Sequence, residues 1–162
     1  MCDIMFEKDL KDFLHDCTRL VILGIGNDIR GDDGVGQYIV ESLKDLGKES
    51  DDVIIINAKT VPENFTGKIR KIDPSHILII DAVLMNEEPG TVRVISKEQV
   101  GGLSVSTHSM SLSFLIKYLE IEKPYNIVFL GIQPESMGLV EDMSKVCKDS
   151  SDSVIDVLDS LL

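Results

Sequence analysis

Four short apolar runs, 20–23, 53–56, 77–80 and 127–130, recur along the chain of 162 residues, each followed or preceded by a stretch long enough for a helix. They are rich in branched residues and carry no polar position, the pattern of strands buried on both faces. After the first run, Val35, Ile39, Leu43 and Leu46 recur at spacings of four, four and three, and Gly47 follows where a helix would end. After the second, Thr60-Val61-Pro62-Glu63 combines a capping box with proline at the first helical position, and Phe65, Ile69 and Ile72 form an apolar stripe. That predicts a helix over about 62–72. Thr107 and His108 open a further helical pattern on Leu112, Leu115, Ile116 and Leu119. Such alternation implies an α/β fold, a three-layer α/β/α sandwich around a mostly parallel twisted sheet. A fifth strand at 91–95 alternates as an edge strand does. Only residues 83–90 separate it from the strand before, too few for a parallel crossover, so it is expected to be the one antiparallel member of a five-stranded sheet.

A content of 43% hydrophobic residues over this length fills one core and is short for two, so residues 1–162 read as a single domain. Residues 1–18 form a peripheral N-terminal extension in which Ile4, Met5, Leu10, Phe13, Leu14 and Cys17 suggest an amphipathic helix. At the other end, 139–162 reads as a helix with a break near Ser150–Ser153. The formal charge of −12 opposes binding to nucleic acid or to an anionic membrane surface. Cys2, Cys17 and Cys147 are odd in number and in no C-x-x-C arrangement, which points to a reducing cytoplasm rather than to disulfides or a thiolate metal site. No apolar stretch approaches the roughly 18 residues of a membrane span, and the acidic N-terminus is unlike a signal peptide.

The first strand runs into Gly24-Ile25-Gly26-Asn27-Asp28-Ile29-Arg30-Gly31-Asp32-Asp33-Gly34-Val35-Gly36, at the carboxyl end of the sheet where α/β proteins place their ligands. Asp81, which closes the run 77–80, and His108, which opens a helix, converge on the same end. A carboxylate terminating four apolar residues needs a partner or a wet cleft. Asp33 taken singly is as consistent with a helix N-cap, and His108 with a cap or a satisfied polar residue, but capping needs only one carboxylate of the Asp32-Asp33 doublet. Asp33, Asp81 and His108 together make a three-ligand set of oxygen and nitrogen donors suited to a borderline divalent cation. A dinucleotide site is disfavoured, because Ile29 stands where the third glycine of the fingerprint belongs and Asp28, Asp32 and Asp33 would repel a pyrophosphate. His76 falls at the opposite end of its strand, and His15 in the N-terminal extension. Cys17 and Cys147 lie on apolar stripes and read as packing residues.

These residues resemble the maturation endopeptidases of nickel-iron hydrogenases, and within them most closely the branch that processes the hydrogenase of formate hydrogenlyase. The likeness rests on Gly24-x-Gly26-Asn27 with Asp32-Asp33-Gly34-x-Gly36, Pro62-Glu63-Asn64, Asp81-Ala82, Pro89-Gly90-Thr91, Ser106-Thr107-His108 and Gly131-Ile132-Gln133-Pro134, in the family's order over about 19–160. It implies an endopeptidase that removes the C-terminal extension of a hydrogenase large-subunit precursor after nickel insertion. The family's metal-contacting positions fall on Asp33, Asp81 and His108. The nickel arrives with the substrate as a recognition element, and the resting enzyme need hold no metal of its own. Asp33 and Asp81 are then candidate catalytic groups, with Asn27 and Gly34 shaping the peptide cleft. Glu135 reads by default as loop surface, and no role is assigned to Gln133. Two other classes stay open at this point: an assembly factor that grips the precursor's nickel site without cutting, and a nucleotide-binding domain.

Overall fold

The computed structural model describes residues 3–100 and 112–162. A helix α1 (Asp3–Leu14) precedes β1 (Leu20–Ile25), α2 (Val35–Asp45) and β2 (Val53–Lys59). Then come α3 (Thr66–Ile72), β3 (His76–Ala82), β4 (Val92–Ser96), α4 (Leu112–Leu119), β5 (Asn126–Ile132) and α5 (Lys145–Leu161). The sheet has the order β2-β1-β3-β5-β4. Four strands run parallel, and β4 alone is antiparallel, pairing with β5 from Val92 opposite Ile132 to Ser96 opposite Val128. The strand after residues 83–90 is thus antiparallel at an edge, as its short connection demands.

Alternation along the strands divides the core in two. On one face Leu20, Ile22, Leu78, Ile80 and Leu130 pack with Val35, Ile39 and Leu43 of α2, Val154 and Leu158 of α5, and Phe6 and Leu10 of α1. On the other, Val21, Leu23, Ile77, Ile79 and Phe129 meet Ile69 of α3 and Leu112, Leu115 and Leu119 of α4. In α1 the inward stripe is Phe6 and Leu10, whereas Met5, expected on that stripe, points outward. The side chain of Ile4, like Cys2, lies outside the described residues.

α2 ends as its glycine predicts. Gly47, at φ 72°, donates to Lys44 O, and Lys48 donates to Leu43 O, the paired bonds of a Schellman motif. Other expectations fail. The capping box at Thr60 does not form: Lys59 turns left-handed at φ 52°, and the segment enters a 3-10 turn, Pro62–Phe65, capped by Val61 with no side-chain bond. α3 follows as a separate element, beginning at Thr66. The last helix begins at Lys145 rather than 139, because Ser144 is its N-cap and accepts from Cys147 N–H at 3.3 Å. It then runs unbroken through the serines, since Ser151 is buried against the domain and Ser150 Oγ donates to Gly90 O at 2.6 Å. No helix of the described residues is long and apolar enough to cross a membrane.

Candidate active site

The β1–α2 and β3 connections diverge from neighbouring strands, so the gap beyond the carboxyl ends of β1 and β3 is the topological switch point of the sheet. Gly26, at φ 150°, starts the turn there, and a Cβ on it would lie 2.0 Å from Asp33 O. Asn27 N–H donates to Asp33 O at 3.1 Å, while Asn27 Oδ1 accepts from Ile29 N–H at 3.1 Å in an Asx turn. The chain then makes a 3-10 turn, Gly31–Gly34, and enters α2. Gly34, which has no side chain, is the N-cap of α2, so Asp33 is not the cap.

Asp33 is 3% exposed within this turn. Asp81 is 1% exposed near the end of β3, in register with Gly131 of β5. By strand alternation it shares the face of Ile77 and Ile79, which α3 and α4 cover. The 3-10 turn packs directly against β3. Gly36 permits this: a Cβ there would stand 2.3 Å from Ile25 O and 2.6 Å from Ile80 O, between the two strands. His108 precedes α4 and lies outside the described residues. Among the described residues no three His, Cys, Asp or Glu side chains form a metal cage.

The other half of the aspartate doublet has a different job. Asp32 is fully buried. Its Oδ2 accepts from Glu135 N–H at 2.8 Å, Ser136 N–H at 3.0 Å and Ser144 Oγ at 2.9 Å, and its Oδ1 accepts from Ser144 N–H at 2.7 Å. Burial alone would raise its pKa, but the bonds from Ser136, Ser144 and Glu135 outweigh that and hold the carboxyl below the ordinary range. Backbone bonds reinforce the seam, with Gly31 N–H donating to Glu141 O and Asp32 N–H to Ser136 O. The two members of the doublet therefore have different surroundings, and Asp32 ties the turn to residues 135–144. No local sequence signal could show this, because the partners of Asp32 lie 103 to 112 positions away.

Gln133 is likewise structural. Its Oε1 accepts from Met85 N–H at 2.7 Å, and its main chain exchanges bonds with Gly90 and Thr91, tying 85–91 to the end of β5. The Glu135 side chain is exposed, as a loop residue is expected to be. Val140 is not anticipated by any motif. It is 84% exposed and held at φ 54°, a strained conformation for a β-branched residue, where its N–H donates to Ile29 O beside the turn.

His76 and Cys147 are packing groups. His76, at the amino end of β3, contacts Ser75 Oγ at 2.8 Å and Asp16 at 3.1 Å and stacks edge-on with Phe13. Burial pushes the Cys147 thiol up, and its Sγ donates to Gln133 O at 3.4 Å. It sits in the apolar core as a packing residue.

Residues 37–160 match the family described as HycI, hydrogenase maturation protease. The chain belongs to that family. A Methanocaldococcus jannaschii chain is 39% identical over 158 residues, covering 94% of this chain and 93% of its own. The hydrogenase 3 maturation protease of Escherichia coli strain K12 is 34% identical over 135 residues, covering 83% of this chain and 85% of its own. The crystal structure of the NiFe hydrogenase maturation protease HycI from Thermococcus kodakarensis superposes with a TM-score of 0.87 at 34% identity, covering 95% of this chain and 98% of that one. This hydrogenase maturation protease is accordingly an endopeptidase with the five-stranded, mostly parallel architecture expected for it.

Proposed function

We propose that this protease removes the C-terminal extension of a nickel-iron hydrogenase large-subunit precursor in the cytoplasm, and that nickel already seated in the precursor licenses the cut. The observation that carries the reading is the pair of buried carboxylates, Asp33 and Asp81, on a turn and a strand end that pack together in a chain of this family. His108, which the family resemblance adds to them, would complete an oxygen and nitrogen donor set suited to a borderline divalent cation. Nickel, when the precursor brings it, supplies positive charge that marks a loaded subunit and lowers the energy of the cleaved carbonyl's developing oxyanion. In this proposal Asp33, Asp81 and His108 meet that metal, while the Asn27 turn and Gly34 leave room for a peptide against the backbone.

Hydrolysis then needs a base and an acid. Water oxygen bonds to the scissile carbonyl carbon as one of its protons passes to a carboxylate of the pair. The C–N bond breaks as a proton reaches the leaving nitrogen.

Incubating the protein with the precursor and reading the precursor's mass tests the proposal. A nickel-loaded precursor should lose its extension while a nickel-free one keeps its mass, and equal cleavage of both would overturn the licensing role. D33N and H108A should each abolish processing with thermal stability nearly unchanged. A large loss of stability would instead assign those side chains to holding the fold.

A further inference from the structure

The backbone seam that locks the acidic turn also presents aliphatic side chains to water. Ile29 O accepts from Val140 N–H at 2.6 Å and from Glu141 N–H at 3.4 Å, and Arg30 and Glu141 form a parallel bridge. Gly31 N–H then donates to Glu141 O at 2.8 Å, and Asp32 N–H to Ser136 O at 2.9 Å. Along this seam Ile29 is 53% exposed, Leu139 67% and Val140 84%. None of the three belongs to either apolar cluster of the described residues, so the core does not use them.

A single exposed aliphatic residue is ordinary on a protein surface. Three brought together by backbone bonds form a patch, and patches mark contact sites. Val140 adds an independent observation. It is β-branched and held at φ 54°, where glycine or asparagine would sit with less strain. Nothing in the core repays that strain, because its side chain is the most exposed of the three. A sequence shaped by folding alone would carry glycine or asparagine there, so the valine serves a contact outside the chain.

The form of the patch says what fits it. Side chains this exposed make a protrusion, whereas an extended peptide is held in a groove or along a sheet edge. A protrusion fits a depression on a folded partner. It is also preformed, since the bonds to Asp32 and the seam fix the backbone beneath it, and little order is lost on docking. Asp28, Glu141 and Asp142, adjacent in the chain, are exposed and give the patch an acidic rim. The seam runs through Gly31 and Asp32 into Asp33, so a partner seated on the patch also borders the candidate site. We infer that Ile29, Leu139 and Val140 dock an apolar depression, bordered by basic groups, on the folded body of the large-subunit precursor, apart from the tail that is cut. The inference rests on the processing reading above, which supplies that partner.

The nickel-free precursor, expected to stay whole, is the probe for binding to the immobilised protease by interferometry. I29N/V140N should bind it about tenfold more weakly than wild type, and in processing of the nickel-loaded precursor should raise KM about tenfold with kcat retained. Thermal stability of this variant should equal or exceed that of wild type, because asparagine accepts the left-handed turn. I29V/V140I, which keeps the aliphatic surface, should bind as wild type does. A precursor made without its C-terminal extension should still bind wild type, and bind I29N/V140N about tenfold more weakly. Unchanged affinity in I29N/V140N, or lost affinity accompanied by lost thermal stability, would overturn the docking surface, and so would binding that requires the extension. Wild-type protein that binds through this patch yet leaves the nickel-loaded precursor uncut would overturn the processing reading and leave the docking surface standing.

Discussion

Of the two adjacent aspartates, Asp32 has its work written in its surroundings. Asp32 is saturated with donors from residues 135–144, so its charge is spent on holding a loop. Asp33 sits in the same turn beside the end of β3. D32N should lower stability by about 2–4 kcal/mol, because an amide nitrogen is turned against donors that need an acceptor. Urea unfolding measures it. The pH dependence has a definite sign. A folded-state pKa below the unfolded value gives stabilisation that is complete above the unfolded value of about 3.9 and is lost as pH falls through the lowered one. Wild type should therefore lose part of its stability on acidification below about pH 4, and D32N should lack that component.

At the scale of elements, the site depends on how closely α2 can approach the sheet. G36A would drive a Cβ into two strand carbonyl oxygens, at 2.3 and 2.6 Å, with no flexible side chain to yield. About 3 kcal/mol of stability should be lost, and precursor processing should slow as the turn lifts from β3; thermal unfolding and single-turnover rates report the two effects. Elements like these were largely legible beforehand. Branched runs such as 77–80 read as buried strands, and the nine residues between β3 and β4 are too few for a parallel crossover, so the sheet followed from local pattern. What local pattern missed was set from a distance. The start of α5 at Ser144 depends on Asp32, and the serines at 150–153 stay helical because the domain buries or bonds them. At Thr60 the residue types of a capping box were present, but the left-handed Lys59 moved the cap to Val61. For the candidate site, the sequence reading put Asp33 and Asp81 beyond the apolar runs 20–23 and 77–80, and both are buried at that end of the sheet. The structural duties of Asp32 and Gln133 were hidden, being made by partners tens of residues away.

Across the whole molecule, a net charge of −12 gives the protease a field that favours positively charged surface on its substrate. Raising salt from about 50 to 500 mM, which shortens the screening length to well under 10 Å, should lower kcat/KM for the nickel-loaded precursor several-fold while leaving kcat in place. A salt-independent kcat/KM would mean that docking is governed by apolar contact. The seam at Asp32 bears on the birth of the enzyme as well. β1 and the turn are made early, but the groups that lock the turn are Glu135, Ser136 and Ser144, more than a hundred residues later. Contacts of such sequence separation form late. A chain still emerging from the ribosome carries its acidic turn unlocked until Ser144 has been added, so competence to cut waits for the start of α5 rather than coming with the first strand.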